Sequence, residues 1–239
     1  MKLERRLANL GYGSRREVRR LFARRAVTSP DGLHLQANDI DVGQDILVHG
    51  EPLDPRPPIV LALHKPVGAE CTRKGDGPTV YDLLPPRFLA RSPKLAPVGR
   101  LDKDTTGLLL LTDDGELLHR LTHPRHHVDK RYLLRTARPL QPGLSSLFAS
   151  GTMRLKSDSR PLLPAEFTQT ALHEGTLVLQ EGRYHQVRRM LAATGNHVER
   201  LHRDRVGPLH IGELKASEWR RLAPSEVRQL HQAVGLGTT

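Results

Sequence analysis

The chain has 239 residues, 37% of them hydrophobic and 26% charged, with a formal charge of +11 and an isoelectric point near 10.4. That length accommodates one large or two smaller domains, and the charge favours a polyanionic partner, because each phosphate neutralised by Lys or Arg releases condensed counterions. A single cysteine, Cys71, excludes an intramolecular disulfide, and no signal-like or roughly 20-residue apolar stretch occurs, so a cytoplasmic protein without a membrane partner is expected.

Residues 1–25 hold nine Lys or Arg against two Glu, a local charge of +7. Two short helices are expected there. The second starts at Ser14-Arg15-Arg16-Glu17, which has the spacing of a capping box, and runs to about Arg25 with Val18, Leu21 and Phe22 on one stripe. Arg15, Arg16, Arg19 and Arg20 then point elsewhere and, with Arg5 and Arg6, form a candidate surface for phosphates. Past Val27 the pattern changes to short strands and turns, including Ser29-Pro30-Asp31-Gly32 and His49-Gly50. A small α+β module over 1–54 follows, joined by the semi-rigid, Pro-rich segment 55–58 to a second domain over 59–234, with a tail at 235–239.

Ile59 to Leu63 opens the second domain as a buried strand that His64-Lys65-Pro66-Val67-Gly68 is expected to stop. The leucine run makes 107–112 another buried strand, closed by Thr112-Asp113-Asp114-Gly115. Asp102 precedes it, at the rim of a core. An Asp in such a position is commonly a turn residue, and Asp104, Asp113 and Asp114 are alternative carboxylates. Further strands are expected at 130–137, 165–171 and 175–181, and helices at 115–122, 185–194 and 224–234. Strands that do not alternate regularly with helices argue for an α+β fold over a doubly wound parallel sheet. His119, His123, His126 and His127 crowd one segment without zinc-site spacing, and neither a P-loop nor a dinucleotide fingerprint occurs, so no metal or cofactor is expected.

Gly99-Arg100-Leu101-Asp102-x-x-Thr105-x-Gly107-Leu108-Leu109-Leu110-Leu111-Thr112 resembles the catalytic motif of pseudouridine synthases of the ribosomal RNA class. His123-Pro124-Arg125-His126-His127 followed by Lys130-Arg131-Tyr132 resembles the family's second motif, and Glu181-Gly182-Arg183-Tyr184-His185-Gln186-Val187-Arg188-Arg189-Met190 its third. The resemblance implies a catalytic domain with a mixed, mainly antiparallel sheet and an active-site cleft, preceded by an S4-like RNA-binding domain. It implies that Asp102 is the catalytic carboxylate, that Tyr132 stacks on the target base, and that Arg188 pairs with Asp102 and keeps it ionised. Arg189 is the alternative, although adjacent helical side chains point about 100° apart. Arg100, Lys130, Arg183 and Arg189 are further candidates for RNA contact, with Arg100 placed to fill the space a flipped uridine leaves.

The implied reaction needs no cofactor. The implied partner is ribosomal RNA bound by a monomer, and the motif wording is closest to the branch that modifies 16S rRNA or a small-subunit assembly intermediate. A sister branch acting on 23S rRNA and a non-catalytic S4-type ribosome assembly factor are the alternatives. With four Tyr, four Phe and one Trp, the chain lacks the aromatics for a surface that stacks several bases.

Overall fold

Three hydrophobic clusters organise the chain: one in the N-terminal segment and one on each face of a large sheet. The computed structural model describes residues 1–156 and 158–237. Residues 238 and 239 of the expected tail lie outside the described residues.

In the N-terminal segment, α1 (Leu3–Asn9) and α2 (Arg15–Ala23) accompany a small antiparallel sheet of β1 (Val27–Thr28), β2 (Leu47–Val48) and β3 (Glu51–Pro52). The expected capping box is present: Ser14 Oγ accepts from the Glu17 N–H at 3.4 Å and Glu17 Oε2 accepts from the Ser14 N–H at 2.7 Å. The helix ends at Ala23, before the expected Arg25, which takes a left-handed φ of 55°. Val18 and Phe22 join Leu3, Leu7, Val27 and Val48 in the core, with Leu21 packed against it. Arg5, Arg15, Arg16, Arg19 and Arg20 remain exposed, Arg19 while paired with Glu4 at 2.6 Å. Arg6 departs from the expected phosphate-facing role. It is buried, and its Nη1 donates to Asp41 Oδ1 at 3.1 Å and to the Gln44 carbonyl at 3.3 Å, tying α1 to the loop before β2.

This segment packs directly on residues 87–92. The Asp54 carboxylate pairs with Arg87, the Tyr12 hydroxyl accepts from the Asp54 N–H at 3.2 Å, and the Asn9 carbonyl accepts from the Ser92 N–H at 2.7 Å. A Cβ on Gly11 would fall 2.0 Å from the Arg87 carbonyl oxygen, so the two backbones touch there.

The large sheet has nine strands among the described residues. They are β4 (Val60–Lys65), β5 (Ala96–Pro97), β6 (Thr106–Thr112), β7 (Lys130–Thr136), β8 (Glu166–Gln169), β9 (Glu174–Leu179), β10 (Val198–Val206), β11 (Leu209–His210) and β12 (Trp219–Arg221). Their order is β12-β4-β6-β10-β7-β9-β8, with β5 added to β6 and β11 to β10. Strands β6 and β10 pair in parallel and the other pairs are antiparallel, which is the mixed, mainly antiparallel α+β arrangement expected.

The leucine run of β6 is continuous because both faces are covered, unlike the alternating pattern of a half-solvated strand. Leu109 and Leu111 join Leu61, Leu63, Leu134 and Leu177 on one face, packed with α4 (Leu144–Ala149) and α5 (Gln186–Ala193). Leu108 and Leu110 join Val60 and Ala62 on the other, packed with α3 (Gly115–Thr122) and α6 (Pro224–Ala233).

Two features differ from expectation. Strand β4 continues through His64 and Lys65 instead of stopping there. The nine-residue β10 was not expected as a strand at all, since five of its residues are charged. Two of its charges are buried with partners: Arg203 is 2% exposed and donates from Nε to the Leu108 carbonyl at 2.9 Å, and Asp204 accepts from Arg131 Nη2 at 2.5 Å.

Where β6 meets β10, Gly107 has φ +115° and a Cβ would fall 2.2 Å from the Arg203 carbonyl oxygen. Gly107→Ala therefore combines a left-handed backbone with a backbone clash. It is expected to cost about 2–3 kcal/mol of stability, read as a lower denaturant midpoint with an unchanged slope.

Candidate active site

The cleft opens on the face of the sheet that carries Tyr132, between the loop 99–105 and the start of α5. Arg100, Leu101, Asp102, Thr105, Tyr132 and His185 line it.

The loop is braced from below. Lys65, fully buried at the end of β4, donates from Nζ to the carbonyls of Pro66 at 3.0 Å, Lys103 at 3.2 Å and Thr105 at 2.8 Å, matching the three N–H groups of an ammonium. Burial lowers its pKa, opposed by Cys71, Asp104 and Asp102 nearby. The Gly68 N–H also donates to the Lys103 carbonyl at 2.8 Å, the Leu101 N–H to Cys71 Sγ at 3.4 Å, and the Thr105 N–H to the Asp102 carbonyl at 3.0 Å. The backbone carrying Asp102 is thus fixed before any substrate arrives.

The Asp102 carboxylate is partly open to the cleft. Its Oδ1 lies 3.3 Å from His185 Nε2 and its Oδ2 lies 3.9 Å from Arg188 Nε. Arg188 also places Nη2 2.8 Å from Asp104 Oδ2 and donates from Nη1 to the Val198 carbonyl at 2.8 Å, so one guanidinium links two carboxylates of the loop to β10. Both basic residues come from the start of α5, whose first-turn N–H groups add partial positive charge. Tyr132, 8% exposed on β7, supplies an aromatic wall beside Leu201 of β10 and Leu179 of β9. The fold thus brings Asp102, Tyr132, Arg188 and the exposed Arg100 together.

Asp104 was named only as an alternative carboxylate, and His185 was not singled out from the sequence. Asp104 lacked the motif match, and His185 was visible only as a member of the third motif. Its left-handed backbone (φ 48°, ψ 35°) turns the chain into α5.

Three expected RNA contacts turn inward. Arg183 donates to Glu181 Oε2 at 3.0 Å, Asp158 Oδ2 at 3.0 Å and the Arg160 carbonyl at 2.8 Å. Arg189 donates from Nη2 to Asp158 Oδ1 and to the Lys156 carbonyl, each at 2.6 Å, and so points away from Asp102, as the 100° step requires. Both arginines clamp the loop before β8 because Asp158 and free carbonyls lie within their reach. Lys130 donates to the Val128 carbonyl at 2.9 Å, and burial, with Arg203 beside it, pushes its pKa down to about 8. It is half-buried, with its ammonium turned to the backbone.

Residues 59–193 match the family model of RNA pseudouridylate synthase, so the chain belongs to that family and is an RNA pseudouridine synthase, an isomerase. Over 231 residues, 95% of this chain and 97% of the relative, it is 37% identical to ribosomal small subunit pseudouridine synthase A of Yersinia pestis. It is 40% identical over 186 residues, 77% of this chain and 79% of the relative, to the protein of the same name from Escherichia coli (strain K12). A solved structure described as a pseudouridylate synthase superposes with a TM-score of 0.68 at 35% identity, covering 96% of this chain and 99% of that one. No helix among the described residues is long and apolar enough to cross a membrane.

Proposed function

We propose that this synthase converts a specific uridine of 16S small-subunit rRNA to pseudouridine, with Asp102 as the catalytic carboxylate and no metal or organic cofactor, as a cytoplasmic monomer. The observation that carries the assignment of Asp102 is its position: a carboxylate on a braced loop, open to a cleft walled by Tyr132 and flanked by Arg188. The 16S assignment is supported by the names of relatives that match nearly the whole chain.

Isomerisation breaks the N1–C1′ bond, turns the uracil and joins C5 to C1′. The C5 proton leaves and N1 ends with a hydrogen, so neither electrons nor an outside group are required. A carboxylate serves by adding to the sugar or base, or by taking a ribose proton, and both routes require the anion. Arg188 and His185 complement that anion while the uridine displaces water. Tyr132 stacks on the base, which must leave its helix to enter, and Arg100, without a carboxylate within 4.0 Å among the described residues, occupies the vacated position.

Residues 1–54 form an S4-like RNA-binding domain, joined through 55–58 to a catalytic domain over 59–234. The exposed Arg5, Arg15, Arg16, Arg19 and Arg20 support this division of labour, since phosphate contacts position RNA without reading its sequence. The test is pseudouridine mapping on 16S and 23S rRNA, each naked and as partial ribonucleoprotein. One new site in 16S rRNA is expected. A site in 23S rRNA alone would move the substrate, and binding without modification would favour an assembly factor.

A further inference from the structure

We propose that the outer face of Tyr184, backed by His185, is a stacking platform for the nucleobase next to the target uridine. This rests on the reading of the cleft around Asp102 as the place where that uridine reacts.

A single exposed tyrosine needs no explanation by itself. Tyr184 stands apart on three observations. Among the described residues it is the only Tyr, Phe or Trp that is exposed, at 74%. Its ring lies parallel to that of His185, with centroids 3.9 Å apart and planes inclined by 16°. His185 in turn reaches Asp102 Oδ1 at 3.3 Å, so carboxylate, imidazole and phenol form a row from the reacting centre to solvent.

The row is held rigid. Arg183 is clamped just before it, the Tyr184 carbonyl accepts from Arg189 Nη1 at 3.2 Å, and α5 begins just after it. His185 has a left-handed backbone, a conformation uncommon for a side chain-bearing residue, and this directs both rings to one side of the helix start. The inner face of Tyr184 is occupied by His185 and the outer face is open.

The chemistry of the occupant follows. A flat aromatic face in a strongly basic protein suits a nucleobase, because every base has a π-face and stacking is tolerant of sequence. The target base does not occupy this position, since Tyr184 is not among the residues that line the cleft around Asp102. A base stacked on the outer face therefore belongs to a neighbouring nucleotide, splayed out as its uridine enters the cleft. One platform of this kind also fits a chain with too few aromatics for an extended stacking surface.

The test uses the full-length protein and a 16S rRNA fragment around the mapped uridine, with 2-aminopurine placed in turn on each side of it. Stacking on Tyr184 is expected to alter the fluorescence at one flanking position on binding, and Tyr184→Ala to abolish that change. Tyr184→Ala is further expected to weaken the KM for the unlabelled fragment about tenfold or more, with kcat little changed, while Tyr184→Phe and Tyr184→Trp stay within about twofold of wild type. The idea is overturned if Tyr184→Ala binds and modifies like wild type with the fluorescence change intact, or if Tyr184→Phe fails as badly as Tyr184→Ala, which would assign the effect to the hydroxyl. Loss of all modification by the wild-type protein would instead fail the reading of the cleft, while the fluorescence change reports stacking independently of turnover.

Discussion

Asp113→Ala is expected to destabilise the protein by about 3–5 kcal/mol, because it breaks a buried ion pair by removing one partner. The side chains of Asp113 and Arg91 are both inaccessible to solvent. Asp113 Oδ2 accepts from Arg91 Nη2 at 3.2 Å, and Oδ1 accepts from the Ile59 N–H at 2.7 Å. Arg91 Nη2 also donates to the Pro55 carbonyl at 3.1 Å, so the pair fastens the segment before β4 to the end of β6. Without Asp113, a buried guanidinium keeps one carbonyl partner and the Ile59 N–H loses its acceptor. At about 2–4 °C per kcal/mol for a protein of this size, the melting temperature should fall by roughly 6–20 °C. The double variant Asp113→Ala/Arg91→Met should recover much of that loss, since an apolar replacement removes the unpaired charge. A single variant that melts within about 2 °C of wild type would mean that water reaches the pair and relieves it.

Hydrophobic pattern made the strands and helices near the cleft legible in the sequence. The run Leu108 to Leu111, the Asp114-initiated α3 and the Ser14–Glu17 cap depend on neighbours within a few residues, and each stands where it was expected. Strand β10 did not show itself, because its place at the centre of the sheet depends on distant partners. Arg203 needs the Leu108 carbonyl and Asp204 needs Arg131, 95 and 73 residues away, and a local pattern sees only a charged segment. The same reason hid the inward turn of Arg6, Arg183 and Lys130. An arginine reads as a solvated cation until the fold supplies a carboxylate or a carbonyl at its tip, as Asp41 does for Arg6 and Asp158 for Arg183. At the candidate site, spacing and resemblance named Asp102, Tyr132 and Arg188, and the fold brings these three together. Asp104 was passed over because its closeness to Arg188 arises only when the loop 99–105 folds against α5.

The proposed chemistry depends on the charge of Asp102. Asp102→Asn keeps the size of the side chain and a polar contact with His185, and Arg188 retains Asp104 as its partner, so neither the fold nor the cleft loses a brace. It removes the anion that both chemical routes require. The expected loss in single-turnover rate is about 10³-fold or more, with RNA affinity within about threefold of wild type, since phosphate contacts elsewhere carry most of the binding. The most direct measurement is pseudouridine formation at the mapped 16S uridine by wild-type and Asp102→Asn protein, under saturating protein and with bound RNA quantified in the same samples. The expected result is full modification by the wild type and none by the variant at equal occupancy. Modification by Asp102→Asn at the wild-type rate would contradict it and move the chemistry to another residue of the cleft.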